Sequence, residues 1–306
     1  MNAKPYALPY AHPAVRDLAF LLTSPSPWRS GADIDPALLL GGDGPERLQA
    51  LDQRPQALAG WLAQRPCRRL GQYAEQLFDY WFQHAPHIEV AARNLIVINR
   101  QRRTLGEFDF LLRIDGQPWH LETTSKYYLQ LGNNADTLLG PSLRDAWRLK
   151  ATKLATQLQL SRHDAAQAWL PEGFAGCRVG ARLTGWFFYP PDRVPADFTG
   201  LAGWYAPLLS PWPQSGEHSR WRWLPRLDWL APARADETQT LSEDALRQTL
   251  LHSDAPQLVA ELRRQDDGCW QEAARGFVIP PGWPDESRLQ SLMAKVDALA
   301  GAESTP

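Results

Sequence analysis

"GEFDFLLRIDGQPWHLETTSK", residues 106–126, is the stretch whose reading decides the fold. Two apolar-rich runs flank Asp115-Gly116, and Asp-Gly between such runs is the strongest short-range hairpin signal. Side chains alternate along a strand, so Phe108, Phe110, Leu112 and Ile114 fall on one face, with Glu107, Asp109, Leu111 and Arg113 on the other. In the returning run, Trp119, Leu121, Thr123 and Ser125 share one face, and His120, Glu122, Thr124 and Lys126 share the opposite one. A two-residue loop at Asp115-Gly116 puts Asp109 directly across from Glu122. A four-residue loop, which Pro118 favours because it cannot donate to a ladder, makes the two acids diagonal neighbours on the same face.

Ionised carboxylates with Cβ atoms roughly 5 Å apart destabilise a sheet unless a cation offsets them. Lys126 points to the same side. A divalent ion suits better, because hard cations such as Mg²⁺ are often held by one or two carboxylates plus water and a phosphate. The plainer reading is a solvated polar face with a salt bridge, common in antiparallel sheets. Two acids and a lysine on one face, with Glu75 available from the preceding helix, favour the metal. Glu107 is read as the partner of a nearby arginine at the strand edge, and His120 as a hydrogen-bonded surface group.

Outward from the hairpin, "RLGQYAEQLFDYWFQH" (69–84) is a helix whose buried stripe is Leu70, Tyr73, Ala74, Leu77 and Trp81. Glu75 and Asp79 lie one turn apart beside it. The second half of "IEVAARNLIVINR" (88–100) is a strand. Downstream, "GPS" at 140–142 is expected to start a long helix to about Leu160, with Lys150, Lys153 and Gln157 on one face by their spacing. Residues 1–64 form Pro-punctuated helices. "CRVGARLTGWFFYPP" (177–191) is a strand pair or one long bent strand. "RWRWLPRLDWLAP" (220–232) alternates Arg and Trp, and reads as core tryptophans with outward arginines. A helix from about Leu241 to Arg264 and a final helix follow. The expected organisation is an N-terminal helical arm (1–64), an α/β core (65–165) and a C-terminal α+β extension (166–306).

The whole chain sets outer bounds. Its 306 residues are 44 % hydrophobic and 22 % charged, which allows a packed core and argues against wholesale disorder. Fourteen tryptophans are expected mainly as core anchors. Three scattered cysteines without a CxxC pair point away from a disulfide framework or zinc knuckle. No run of about 18 apolar residues predicts a membrane span, and the N-terminal segment lacks the apolar run of a signal peptide, so a cytoplasmic protein is expected. The net charge of −2 does not advertise a nucleic-acid binder, yet basic groups cluster locally at Arg65, Arg68 and Arg69, at Arg93, Arg100, Arg102 and Arg103, and at Arg144, Arg148, Lys150 and Lys153, any one of which alone reads as a solvated face.

"LGQYAEQLFDYW", "RTLGEFDFLL", "HLETTSKYYL", "GPSLRDAWRLKATKLATQL" and "GFVIPPGWP" together resemble a bacterial family, the domain-of-unknown-function 1853 family, over about residues 66–284. That family is in turn similar to the PD-(D/E)XK nuclease superfamily. The resemblance implies a restriction-endonuclease-like core: a mixed sheet flanked by helices, in the order αβββαβ, with metal-binding acids on the central strands. It implies Asp109 as the motif aspartate, Glu122 as the second acid, Glu75 as an additional helix ligand, and Gln157 as a helix glutamine of some branches. The superfamily carries a lysine two residues after the second acid. This sequence has Thr124 there, and Lys126 lies two residues on, about 6.6 Å along the strand. The expected activity is Mg²⁺- or Mn²⁺-dependent hydrolysis of nucleic acid, DNA in the first instance. Arg102, Arg103, Lys150 and Lys153 would hold flanking phosphates, and Lys126 would position the water or neutralise the transition state. The competing expectation is a nuclease-fold protein without the chemistry, acting as a nucleic-acid- or protein-binding module.

Overall fold

The computed structural model describes residues 6–191, 193–195, 198–213, 216 and 218–303. In chain order the elements are α1 (Pro13–Thr23), α2 (Pro36–Leu40), α3 (Gly44–Gln53), α4 (Gln56–Ala63), α5 (Leu70–His84), β1 (Ile88–Ile98), β2 (Thr104–Ile114), β3 (Gln117–Gln130), β4 (Leu138–Leu139), α6 (Trp147–Leu158), α7 (Asp164–Gln167), β5 (Arg178–Tyr189), β6 (Leu201–Pro207), β7 (Arg220–Trp223), β8 (Arg234–Ala235), α8 (Glu243–Leu250), β9 (Gln257–Arg264), β10 (Trp270–Ile279) and α9 (Glu286–Glu303). The protein is α/β, with mixed strand pairing and flanking helices. No helix among the described residues is long and apolar enough to cross a membrane.

Contacts divide the chain into two compact units, each assembled from separate segments. One comprises residues 10–125 and 151–184, the other 1–9, 126–150 and 185–306. In the first, β1, β2 and β3 are antiparallel neighbours and β5 lies beside β3. Phe82 of α5 meets Phe110 of β2 edge-on at 5.0 Å. Phe108, Leu111, Leu160, Phe174 and Cys177 form a second apolar cluster. In the other unit, β6 pairs in parallel with β5 and β10, while β9 is antiparallel to both β10 and β7. Trp204, Trp212 and Trp221 pack there with Leu246, Val259 and Val278, the core role expected of most tryptophans.

Three local expectations are corrected. Residues 141–146 are not helical: α6 begins at Trp147, because Leu143 takes a left-handed conformation (φ 54°) and closes a loop in which its N–H donates to the Gly140 carbonyl. The helix expected from Leu241 to Arg264 stops at Leu250, and residues 257–264 form β9, buried from Leu258 to Leu262 between β10 and β7. Its Leu, Ala and Glu residues are good helix formers, but two partner strands satisfy its backbone on both sides. The strand after α5, expected only in the second half of residues 88–100, runs through all of 88–98. Of the Arg-Trp stretch, Trp221 and Trp229 are buried and Trp223 is 43 % exposed.

Candidate active site

The hairpin turn settles the register. Asp115 and Gly116 both take left-handed conformations (φ 49° and 76°), the pair that a two-residue type I′ loop requires. Pairing then runs from Ile114 with Gln117 to Phe110 with Leu121. The next rung would join Asp109 to Glu122, and there the regular ladder gives way. The Thr123 backbone N–H donates to Asp109 Oδ2 at 2.9 Å, and the Thr123 hydroxyl reaches the same oxygen at 3.3 Å. The Asp109 N–H in turn points at Glu122 Oε1, 3.4 Å away. Each acid therefore stands where a backbone carbonyl would otherwise accept.

The irregularity extends across β1. Pairing passes from Arg93 with Phe110 to Leu95 with Phe108, skipping Asn94 and Asp109. Asn94 has φ 50°, a conformation Asn adopts more readily than most residues. Strict alternation fails as a result. Arg93 and Asn94, though adjacent, both reach α5, the first to Asp79 and the second to Glu75. Ala92 and Leu95 both pack on the cluster containing Phe108 and Leu111. Phe108 thus joins Leu111 rather than Phe110, a correction to the face assignment made on periodicity alone.

His120 is not a surface group. It is fully buried, edge-on to Phe108 at 4.7 Å. Its Nε2 lies 2.9 Å from Glu122 Oε1 and its Nδ1 lies 3.1 Å from Ser161 Oγ. Burial holds the imidazole down at about 4, against the opposing charge of Asp109. At neutral pH the ring is therefore uncharged, and its contact with Glu122 is a hydrogen bond rather than an ion pair. An ionised Glu122 requires the proton on Nε2, leaving Nδ1 to accept from the Ser161 hydroxyl. Glu122 is itself fully buried and Ser161 nearly so.

The other expected site residues are distributed as follows. Glu75 is on α5, where its Oε1 accepts from the Asn94 amide. Lys126 and Asp145, both in the second unit, form an ion pair, and the Tyr128 hydroxyl also donates to Asp145 Oδ2 at 3.2 Å. Arg102 (φ 58°) and Arg103 are exposed in the β1–β2 turn, where the Arg103 N–H donates to Asn99 Oδ1 at 2.9 Å. On α6, Lys150 belongs to the second unit, whereas Lys153 and Gln157 belong to the first. Lys153 is exposed, and Gln157 Oε1 is buried without a hydrogen-bond partner among the described residues. The structure thus brings Asp109 and Glu122 together and adds His120 and Ser161. Among the described residues no three His, Cys, Asp or Glu side chains lie close enough to share one metal ion. Asp109 and Glu122 meet through the Asp109 backbone N–H and Glu122 Oε1, with Glu122 fully buried.

Sequence reasoning passed over Asp79, whose buried carboxylate receives Arg93 and Gln83 and lies 4.0 Å from Arg65. Its place one turn after Glu75 was visible, but not its burial. Nothing in the local sequence marks Ser161. Compared with known proteins, a family model described as "Domain of unknown function (DUF1853)" matches residues 16–279. No curated protein and no solved structure matches.

Proposed function

The chain belongs to the domain-of-unknown-function 1853 family, and from that premise we propose, on the geometry of its site, a divalent-cation-dependent phosphodiesterase acting on nucleic acid, DNA in the first instance. The observation that carries the reading is the meeting of Asp109 and Glu122 where the β2–β3 ladder opens, with the Asp109 N–H directed at Glu122 Oε1. The element order supports it: apart from the two-residue β4 and the four-residue α7, the elements α5, β1, β2, β3, α6 and β5 follow the αβββαβ order of the PD-(D/E)XK core. In this reading Asp109 and Glu122 hold Mg²⁺ or Mn²⁺. The bound ion would lower the pKa of a coordinated water and offset charge on the scissile phosphate. The chain's own part is positional. Thr123 anchors one oxygen of Asp109. His120, held by Ser161 through Nδ1, contacts Glu122 Oε1 through Nε2 and so orients the Glu122 side chain. Exposed Arg102 and Arg103 offer phosphate contacts of the salt-dependent kind.

A second reading, a nuclease-fold module that binds without cleaving, is favoured by one specific observation. Thr124 stands at the superfamily's lysine position, and Lys126 is engaged by Asp145. Two measurements decide. With Mg²⁺ or Mn²⁺ the wild type is expected to nick plasmid or degrade single-stranded DNA, and Asp109→Ala to lose at least about a hundredfold in rate, the order seen when a positioned charge-stabilising group is removed. Equal cleavage by both would mean a contaminant. Calorimetry with Mn²⁺ should show binding that Glu122→Ala abolishes; no binding by the wild type would favour the module.

A further inference from the structure

Within the first unit, a cavity of about 580 Å³ is lined by the α4–α5 connection, α5 and the middle of β1. Its cationic groups are Arg65 and Arg93. Both converge on Asp79, whose side chain is 2 % exposed: Arg93 donates to Oδ2, Arg65 lies 4.0 Å from the same oxygen, and Gln83 holds Oδ1 at 2.8 Å. A buried carboxylate behind two guanidiniums orients them while using little of their capacity, since each has five N–H donors. Arg65, 57 % exposed, keeps most of its donors available. Burial and the charge of Arg65 both disfavour protonated Arg93, and Glu75 favours it, so the pair gains from an added anion. Gln76 supplies the complementary feature. Its Nε2 donates to the Arg65 carbonyl at 2.9 Å, while its Oε1 is buried without a hydrogen-bond partner among the described residues. A buried acceptor in that state calls for a donor.

We infer that this cavity binds one nucleotide unit, with its phosphate on Arg65 and Arg93 and a sugar hydroxyl or base N–H on Gln76 Oε1. The volume lies within the roughly 300–1,000 Å³ of small-ligand pockets. Glu75, tied to the Asn94 amide at the same cavity, opposes further negative charge and limits the site to a single phosphate. The irregular conformation of Asn94 is what directs both Arg93 and Asn94 toward α5, so the backbone departure in β1 builds the site. The inference stands whether or not Asp109 and Glu122 hold a metal.

The test is calorimetry on the full chain in EDTA, which silences any metal-dependent cleavage. The titrants are AMP, ATP, inorganic phosphate, a 5′-phosphorylated tetranucleotide and its 5′-hydroxyl counterpart. Binding of AMP alone assigns the site to free mononucleotides; binding of the phosphorylated strand but not its 5′-hydroxyl form assigns it to strand ends. Either supports the inference. Arg65→Gln should weaken the bound titrant about tenfold, the loss of one charge-assisted contact. Gln76→Met should weaken it about fivefold, the loss of one neutral hydrogen bond, and leave inorganic phosphate unchanged. ATP should bind less tightly than AMP. The two substitutions alter different lining residues, so if one fails to fold, the other decides. Absence of binding by every nucleotide titrant, unchanged affinity in both folded variants, or inorganic phosphate binding as tightly as AMP would overturn the inference. AMP binding by an Asp109→Ala protein that has lost cleavage separates this site from the proposed active site.

Discussion

His120 concentrates the chemistry of the first unit in one side chain. Folding withdraws it from water and surrounds it with Phe108, Glu122 and Ser161. Its ordinary value of 6.5 falls to about 4, and the consequence for stability has a definite sign. Above pH 6.5 the ring is neutral in both folded and unfolded chains and contributes no pH dependence. Between 6.5 and 4 the unfolded chain takes up a proton that the folded protein refuses, so acid erodes stability, by on the order of 3 kcal/mol by pH 4. Denaturant unfolding of EDTA-treated protein at pH 7 and pH 4.5 should show this loss. His120→Gln should be less stable at pH 7 yet flatter across the window; a wild-type slope in that variant would assign the acid sensitivity elsewhere. The position of His120 between two chemically active neighbours was legible in residues 119–123 only as alternation. Its surroundings include Phe108 and, from far along the chain, Ser161.

At the scale of elements, two glycines separate conformational demand from crowding. Gly116 (φ 76°) has open space where a Cβ would stand, whereas at Gly185 (φ 133°) a Cβ would lie 1.8 Å from the Lys126 carbonyl oxygen. Gly116→Ala should cost about 1–2 kcal/mol, the penalty of a left-handed L-residue, and leave the hairpin intact. Gly185→Ala should cost more than about 3 kcal/mol, because backbone must move as in severe overpacking. Chemical denaturation measures both, and equal effects would refute the distinction. The turn at Asp115-Gly116 was readable because its dipeptide demands that geometry locally. The opening of the ladder at Asp109 was not, because it arises from an adjustment shared by Asn94 on β1, Asp109 on β2 and Thr123 on β3. The same holds for β9, whose residues suit either a helix or a buried strand; pairing with β10 and β7 decided between them.

At the scale of the whole molecule, the two units do not follow one another along the chain. β3 and β5 each begin in one unit and end in the other, and the segment 126–150 belongs with residues 185–306. A fragment of residues 185–306 therefore lacks strand partners and core from its own unit. It should show little fixed tertiary structure by near-ultraviolet circular dichroism or proton NMR, and a cooperatively folded fragment would contradict the division. What the sequence determined by itself was whatever nearest neighbours enforce: the α/β character, the α5 stripe, the Asp-Gly reversal and, through it, the register from Ile114 with Gln117 to Phe110 with Leu121. Only the tertiary structure decided which of these polar groups are withdrawn from water, which partners hold Glu75 and Lys126, and where Arg65, Asp79 and Arg93 meet. Turn geometry and helical periodicity are carried by bonds a few residues apart, whereas burial and charge pairing depend on segments brought together from across the chain.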